Sequence, residues 1–115
     1  MQRRFRLTRR NDIKRVRQEG RSLANAVLVL GFLPNQLKLN RTAVIAGRSV
    51  GGAVQRNFAK RRIRTALQTL QPDLDHGYDL ILIARKPLLD ADYQSIIDGM
   101  RSLFLQAGLL KEYVN

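Results

Sequence analysis

The 115-residue chain contains no cysteine and a single histidine. Without thiols there is no disulfide framework, no thiolate zinc site and no cysteine nucleophile. One imidazole is too few for a histidine-based metal site. Long hydrophobic runs are also missing: the longest, Ala26 to Leu33, falls far short of the ~20 residues that a membrane-spanning helix needs. The N-terminus is charged throughout and has no apolar segment of the secretory type. Acid is scarce: 9 Asp and Glu face 21 Lys and Arg, a net charge of +12. Yet 44% of the residues are apolar, an ordinary globular share that a disordered basic tail lacks. The chain is therefore predicted to be a soluble, cytoplasmic, strongly basic protein. Its length fits one domain over residues 1–115, with little room for separate catalytic and binding units.

The charge is unevenly spread. Residues 1–64 carry 17 basic and 2 acidic side chains, a net +15, whereas residues 65–115 carry a net −3. Two segments supply the excess, Arg3 to Arg21 with nine basic residues and Arg41 to Arg64 with seven and no acid. Like charges crowded on one face repel unless a partner neutralises them, so a polyanion is the natural inference. Most of these bases are arginine, which makes bidentate phosphate contacts and stacks on bases. Nucleic acid is favoured over an anionic membrane on that ground.

The hydrophobic pattern predicts the elements. Thr8 or Asn11 would cap a short first helix that runs to about Glu19, with Leu7, Ile13 and Val16 as its thin apolar face and Gly20 as its stop. Ser22 to Asn25 suggests a short extended piece. Ala26 to Leu33 reads as a strand bounded by the turn Pro34-Asn35-Gln36. Arg41 to Ala46 reads as a second strand, antiparallel to the first across that turn. From Gly52 to Leu70 apolar residues recur at Ala59, Ile63, Ala66, Leu67 and Leu70, which is helical spacing ending before Pro72. Tyr78 to Ala84 is a buried strand closed by Pro87. Asp90 would cap a last helix whose stripe is Tyr93, Ile96, Ile97, Met100, Leu103, Phe104 and Ala107, and Gly108 ends it. The order implies an α+β fold, a two-layer sandwich of helices on a mixed sheet.

The informative stretch is the middle helix. At about 100° per residue, Arg56, Lys60 and Arg64 share one narrow strip, with Asn57 and Arg61 beside it. Ala59, Ile63, Ala66 and Leu70 lie on the neighbouring strip. One side would pack on the sheet while the next displays a cationic ridge. Same-sign charges at i, i+4 and i+8 cost an isolated helix a few tenths of a kcal/mol per pair, a cost that regularly spaced phosphates would offset. Asn57 can donate and accept, which suits sugar or base edges. Arg61 and Arg62 could equally be solubilising charges. Phe58 projects away from both strips. The turn Gly47-Arg48-Ser49-Val50-Gly51-Gly52 precedes this helix, whose first backbone N–H groups favour an anion, although a plain flexible turn reads equally well.

The pattern Gly51-x-Ala53-Val54-x-Arg56-Asn57-x-x-Lys60-Arg61-x-x-Arg64 resembles the signature of the bacterial ribonuclease P protein subunit. Arg6-Leu7, Asn11-Asp12-Ile13 and Arg15-Val16, closing at Gly20, are similar to that family's first helix. Ile83-Ala84-Arg85-Lys86-Pro87 is similar to its last strand and exit. Five positions, in three places, depart from the family pattern. Phe58 stands where an arginine is usual, Arg48-Ser49 where two lysines are usual, and Ile13 and Arg17 where the first helix usually offers phenylalanines.

The resemblance implies a ribonucleoprotein endonuclease that removes the 5′ leader from precursor tRNA. Its RNA would hold the catalytic centre and most of the bound Mg²⁺, with no cofactor in the protein itself. Arg48, Arg56, Asn57, Lys60, Arg61 and Arg64 would bind the catalytic RNA. A cleft between the first helix and the sheet, with Arg9, Ile13, Arg17 and Val29, would hold the single-stranded leader, Arg17 stacking its guanidinium on a base. Implied too are an order α-β-β-β-α-β-α, a four-stranded sheet and a left-handed βαβ crossover, where pattern alone favours a right-handed one. The partners would be ribonuclease P RNA and precursor tRNA, with no membrane, and the protein alone would be a monomer.

Two other classes compete. A protein-only nuclease needs acids for metals or for proton transfer. The one candidate cluster is Asp73, Asp75, His76 and Asp79, where Pro72 and Gly77 mark a turn entering a strand and aspartates more commonly serve turn hydrogen bonds. A structural RNA-binding protein, such as a ribosomal component, would share the basic helix. The last helix's aromatic and Met residues read as core, while Tyr113 and the tail could touch a partner.

Overall fold

A computed structural model describes residues 3–111. The expectation for Tyr113 lies outside these residues. Seven main elements follow in order: α1 (Arg10–Glu19), β1 (Arg21–Ala24), β2 (Leu28–Pro34), β3 (Arg41–Ile45), α2 (Ala53–Leu70), β4 (Tyr78–Ala84) and α3 (Tyr93–Ala107). The α+β class and the α-β-β-β-α-β-α order are those expected. The four strands form one mixed sheet in the order β1-β2-β4-β3.

The expected pairing of β2 with β3 across the Pro34–Gln36 turn does not occur. β4 lies between them, antiparallel to β2 over seven residue pairs and parallel to β3 over five. β4 is buried along both faces, from Asp79 through Leu82, so it needs neighbours on each side. The β2–β3 connection wraps the start of β4 instead of forming a hairpin. Asn35 N–H donates to the Gly77 carbonyl at 2.9 Å. Asn40 Nδ2 donates to the Asp75 carbonyl at 2.7 Å, and its Oδ1 accepts from Tyr78 N–H at 2.9 Å.

The sheet's alternation sorts side chains into two layers. Leu28, Leu30, Phe32, Leu80, Leu82 and Ala84 meet α2 and α3 in the main core. α2 contributes Ala59, Ile63, Ala66, Leu67 and Leu70, and α3 contributes Ile96, Ile97, Met100, Leu103 and Phe104. Each fully buried large side chain here is worth about 1.5–3 kcal/mol. Among the described residues, the opposite face is covered by α1 and its lead-in segment. Leu7, Val16, Ala43 and Ile81 form a small second core there, with Ile13, Leu33, Ile45 and Ile83 packed at its margin. A single short helix cannot cover a four-stranded sheet, so this face keeps open ground beside α1.

The helix ends correct two expectations. Neither Thr8 nor Asn11 caps α1: Arg9 is the N-cap and no side chain caps it. Leu7 is buried, and its N–H donates to the Thr42 carbonyl at 2.9 Å, so the chain is still tied to the β3 edge there and the helix starts later. Asp90 does not cap α3. Pro87 and the buried Leu88 hold Lys86–Asp90 in a separate 3-10 turn, and Asp92 takes the cap, its side chain accepting from Ser95 N–H at 2.7 Å.

Gly20 ends α1 by its lack of a side chain, with an extended backbone. A Cβ there would sit 2.5 Å from the Val16 carbonyl oxygen and 2.6 Å from that of Phe32. Gly108 ends α3 in the left-handed region, φ 78°, which glycine adopts without strain.

The backbone hydrogen bond to Ser95, with the nearby Arg62 charge, holds the Asp92 carboxyl below the usual carboxylate range. A depressed pKa stabilises the fold above the unfolded value and loses that contribution as pH falls through the folded one. We therefore expect Asp92→Asn, which keeps the acceptor without the charge, to flatten the acid limb of a melting-temperature profile. An acid limb identical to that of the parent chain would refute the cap's role.

Candidate RNA interface

α2 carries the ridge. Arg56 and Lys60 are half-buried along their stems, while Asn57, Arg61 and Arg64 are exposed. The core face lies on the neighbouring strip of the helix, so the packing that buries Ala59 and Ile63 leaves the cations beside it turned outward. No side chain caps α2, whose N-cap is Gly52, and no acid occupies its first turn. Arg48 is exposed in the preceding turn, which the buried Val50 pins to the core. That turn is therefore anchored, not merely flexible.

Two hollows flank α1. The larger, about 540 Å³, is lined by Arg6, Leu7, Thr8 and Ile13 from the α1 side, by Thr42 to Ile45 of β3, and by Arg64 of α2. β3 is one of the sheet's two edge strands, so a side chain from α2 can reach round it to the α1 face. The smaller, about 160 Å³, includes Val16, Arg17, Arg21, Ser22, Val29 and Gly31. The expected cleft residues are thus divided. Ile13 lies in the first hollow, Arg17 and Val29 lie in the second, and Arg9 is exposed at the α1 N-cap and lines neither. Arg6, Thr8, Arg21 and Ser22 were not assigned to the cleft from the sequence. Only their position in the wider basic segment pointed to them, because nothing in the pattern says which bases border a cavity.

Some of the basic excess is used internally. Arg41 grips Asp79 with both arms of its guanidinium, Nε to Oδ1 at 2.9 Å and Nη2 to Oδ2 at 2.8 Å. Asp79 is fully buried and also accepts from Asn35 Nδ2 at 3.0 Å. Arg15 approaches Asp79 at 3.8 Å and Asp12 at 3.4 Å, and Asp12 lies 3.7 Å from Arg41. The hydrogen bond that Arg41 donates to the Asp79 carboxylate raises the Arg41 pKa above its ordinary value, although burial opposes it. This network ties α1 to β3 and β4, and it engages the Arg41 guanidinium internally.

The acidic cluster does not assemble. Asp79 is consumed by the network, while Asp73, Asp75 and His76 are exposed in the turn before β4. Among the described residues, no three His, Cys, Asp or Glu side chains are grouped to hold a metal ion. Nor is any described helix long and apolar enough to cross a membrane.

A mixed sheet with a cationic helix on one layer and basic hollows on the other defines a small α+β RNA-binding protein. A profile of the Ribonuclease P family matches residues 1–108. The "Ribonuclease P protein component" of Chloroflexus aurantiacus is 40% identical, over 100% of this chain and 86% of the relative. That of Symbiobacterium thermophilum is 38% identical, over 96% and 97%. The solved RNase P protein of Staphylococcus aureus superposes with a TM-score of 0.83 at 26% identity, covering 93% of this chain and 98% of the other. The RNase P protein from Thermotoga maritima gives 0.80 at 28%, covering 88% and 96%. The chain belongs to the ribonuclease P protein family.

Proposed function

We propose that this chain binds the RNA subunit of ribonuclease P through α2 and the single-stranded 5′ leader of precursor tRNA beside α1, while the RNA holds the catalytic centre. Processing of the tRNA 5′ leader together with an RNA subunit is the function of its family. The observation that supports two adjoining RNA sites is the shared hollow: Arg64 of the α2 ridge and Ile13 of α1 line the same 540 Å³ space. Two polyanions approaching there would meet across one basic edge.

In this reading Arg48, Arg56, Lys60, Arg61 and Arg64 contact phosphates of the catalytic RNA, and Asn57 contacts a sugar or base edge. Ile13 and Val29 offer apolar floor to leader bases. Arg17 stacks or pairs with phosphate, and Arg9 attracts the strand from outside the hollows. Such contacts hold a strand without reading its sequence. The described side chains do not suit a resident metal, because Asp79, the one buried acid, is already paired. Mg²⁺ would be held mainly by the RNA. The protein's part is electrostatic: positive charge between two RNAs lowers their repulsion and with it the metal concentration they require. It would act as a cytoplasmic monomer until it meets the RNA.

Adding the purified chain to ribonuclease P RNA and precursor tRNA at low Mg²⁺ should raise leader cleavage. RNA binding without that rise would indicate a purely structural RNA-binding protein. Arg17→Ala should raise KM for precursor tRNA by roughly tenfold, the loss of one charge-assisted contact. A substrate with a one-nucleotide leader should be little affected. Equal effects on both would remove Arg17 from the leader site.

A further inference from the structure

The far flank of α2 carries a feature that phosphate binding does not use. Phe58 is 39% exposed and Val54 79%, two large apolar side chains one turn apart on a helix otherwise rich in charge. The Arg62 guanidinium lies between two rings, 5.2 Å from the Phe58 centroid and 5.7 Å from that of Tyr93 at the start of α3. Its Nη2 donates to the Ala91 carbonyl at 3.3 Å. Among the described residues, no carboxylate pairs with Arg62, and its buried Nε has no hydrogen-bond partner. Phe58, Arg61, Arg62, Thr65 and Tyr93 together line a hollow of about 280 Å³.

The geometry points to this hollow as a stacking site for one unpaired nucleobase of bound RNA. The inference rests on the reading that α2 faces RNA, and extends it from the phosphate ridge to a base pocket. The aromatic plane of Phe58 is held in place by Arg62 on one side and is partly open to solvent. Its volume lies just under the ~300–1,000 Å³ of small-molecule sites, the scale of a single planar heterocycle. Arg61 belongs to both the ridge and the hollow, so a strand whose phosphates follow the ridge could turn one base inward past it. Thr65 places a hydroxyl at the rim, although its Oγ1 already donates to the Arg61 carbonyl at 3.0 Å and keeps only acceptor capacity. A protein partner fits less well. Two exposed apolar residues on a cationic flank fall far short of the ~1,000 Å² that a stable protein interface buries. Stacking on an aromatic face beside an arginine needs no such area.

The chain contains no tryptophan, so Phe58→Trp introduces a unique fluorophore at the site. Saturation with ribonuclease P RNA should quench its emission through stacking. Inorganic polyphosphate, which can occupy the ridge but has no bases, should bind without quenching. Phe58→Ala should weaken RNA binding roughly tenfold, leaving the salt dependence and polyphosphate affinity unchanged. Phe58→Leu, which keeps an apolar side chain of similar reach, should be as weak as the alanine variant. Unquenched tryptophan at saturating RNA would overturn the base pocket while leaving the ridge intact, as would parental affinity in both truncated variants. Failure of the parent chain to bind either RNA or polyphosphate would overturn the ridge reading and the pocket with it.

Discussion

Replacing Arg56, Lys60 and Arg64 together by alanine should weaken binding of ribonuclease P RNA by roughly a thousandfold. The three side chains are spaced i, i+4 and i+8 along α2, and none of them forms an ion pair among the described residues. A hydrogen bond to a charged group is worth about 1.5 kcal/mol at the low end, so three lost contacts amount to about three decades of affinity. The slope of log affinity against log salt should also fall, by about 0.7–0.9 for each phosphate released, or about 2 to 3 in all. The fold should not suffer. Alanine is the better helix former, and removing two like-charged i, i+4 pairs relieves a few tenths of a kcal/mol each. Titration of the RNA at several salt concentrations, with thermal melts of both proteins, tests each part. Weaker binding at an unchanged slope would mean that the lost groups do not meet phosphate. Unchanged affinity would move the RNA off α2.

The second large effect concerns stability. Asp79→Ala should cost about 3 kcal/mol, the lower end of the ~3–5 kcal/mol range for breaking a buried ion pair. The lower end applies because Asp79 is 1% exposed at its side chain but Arg41 is 25% exposed, so water can partly solvate the abandoned guanidinium. Asn35 Nδ2 also loses its bond to the carboxylate and keeps only the Leu39 carbonyl, at 3.2 Å. A typical domain has only ~5–15 kcal/mol of stability, so this is a substantial share. Converting the pair to Arg41→Met with Asp79→Leu should recover most of the loss, because no unpaired buried charge remains. Urea unfolding of the parent chain, of Asp79→Ala and of the double variant measures the loss and its recovery. A cost under about 1 kcal/mol for Asp79→Ala would show that the network is incidental. RNA binding by the refolded double variant should keep the parental salt slope, because neither residue is available to phosphate.

Much of the fold was legible because its signals are local. The α2 and α3 stripes repeat every three or four residues, so each helix declares its buried face without reference to the rest of the chain. Tyr78–Ala84 announces a doubly buried strand by being apolar on both faces. The misplaced caps show where local signals fail. Asp90 and Asp92 are equally good capping residues in the sequence. The choice between them was made by Leu88, whose burial drew Lys86–Asp90 into a turn of its own. Thr8 lost the α1 cap because Leu7 was already bonded to β3. The β2–β3 hairpin failed for a related reason: the turn Pro34-Asn35-Gln36 says that the chain reverses, and does not say which strand lies alongside.

The interface divides in the same way. The ridge Arg56, Lys60 and Arg64 follows from helical spacing alone. The hollow beside Phe58 does not, because Tyr93, which also lines it, lies on another helix, 35 positions along the chain. The acidic cluster misled because proximity in sequence placed Asp79 beside Asp73, Asp75 and His76. In space it belongs to Arg41 and to α1.

By itself the sequence determined the polyanion partner, the α+β class, the identity of the basic helix and the exclusion of thiol chemistry. Each depends on composition or on a period of a few residues, which the chain carries without folding. Only the tertiary structure decided that β4 separates β2 from β3, leaving β3 as the edge over which Arg64 reaches the α1 face. It alone showed which arginines approach Asp79 and which lie outside that network. Those outcomes depend on contacts between distant segments, where burial and hydrogen-bond satisfaction choose among pairings that look equivalent in one dimension.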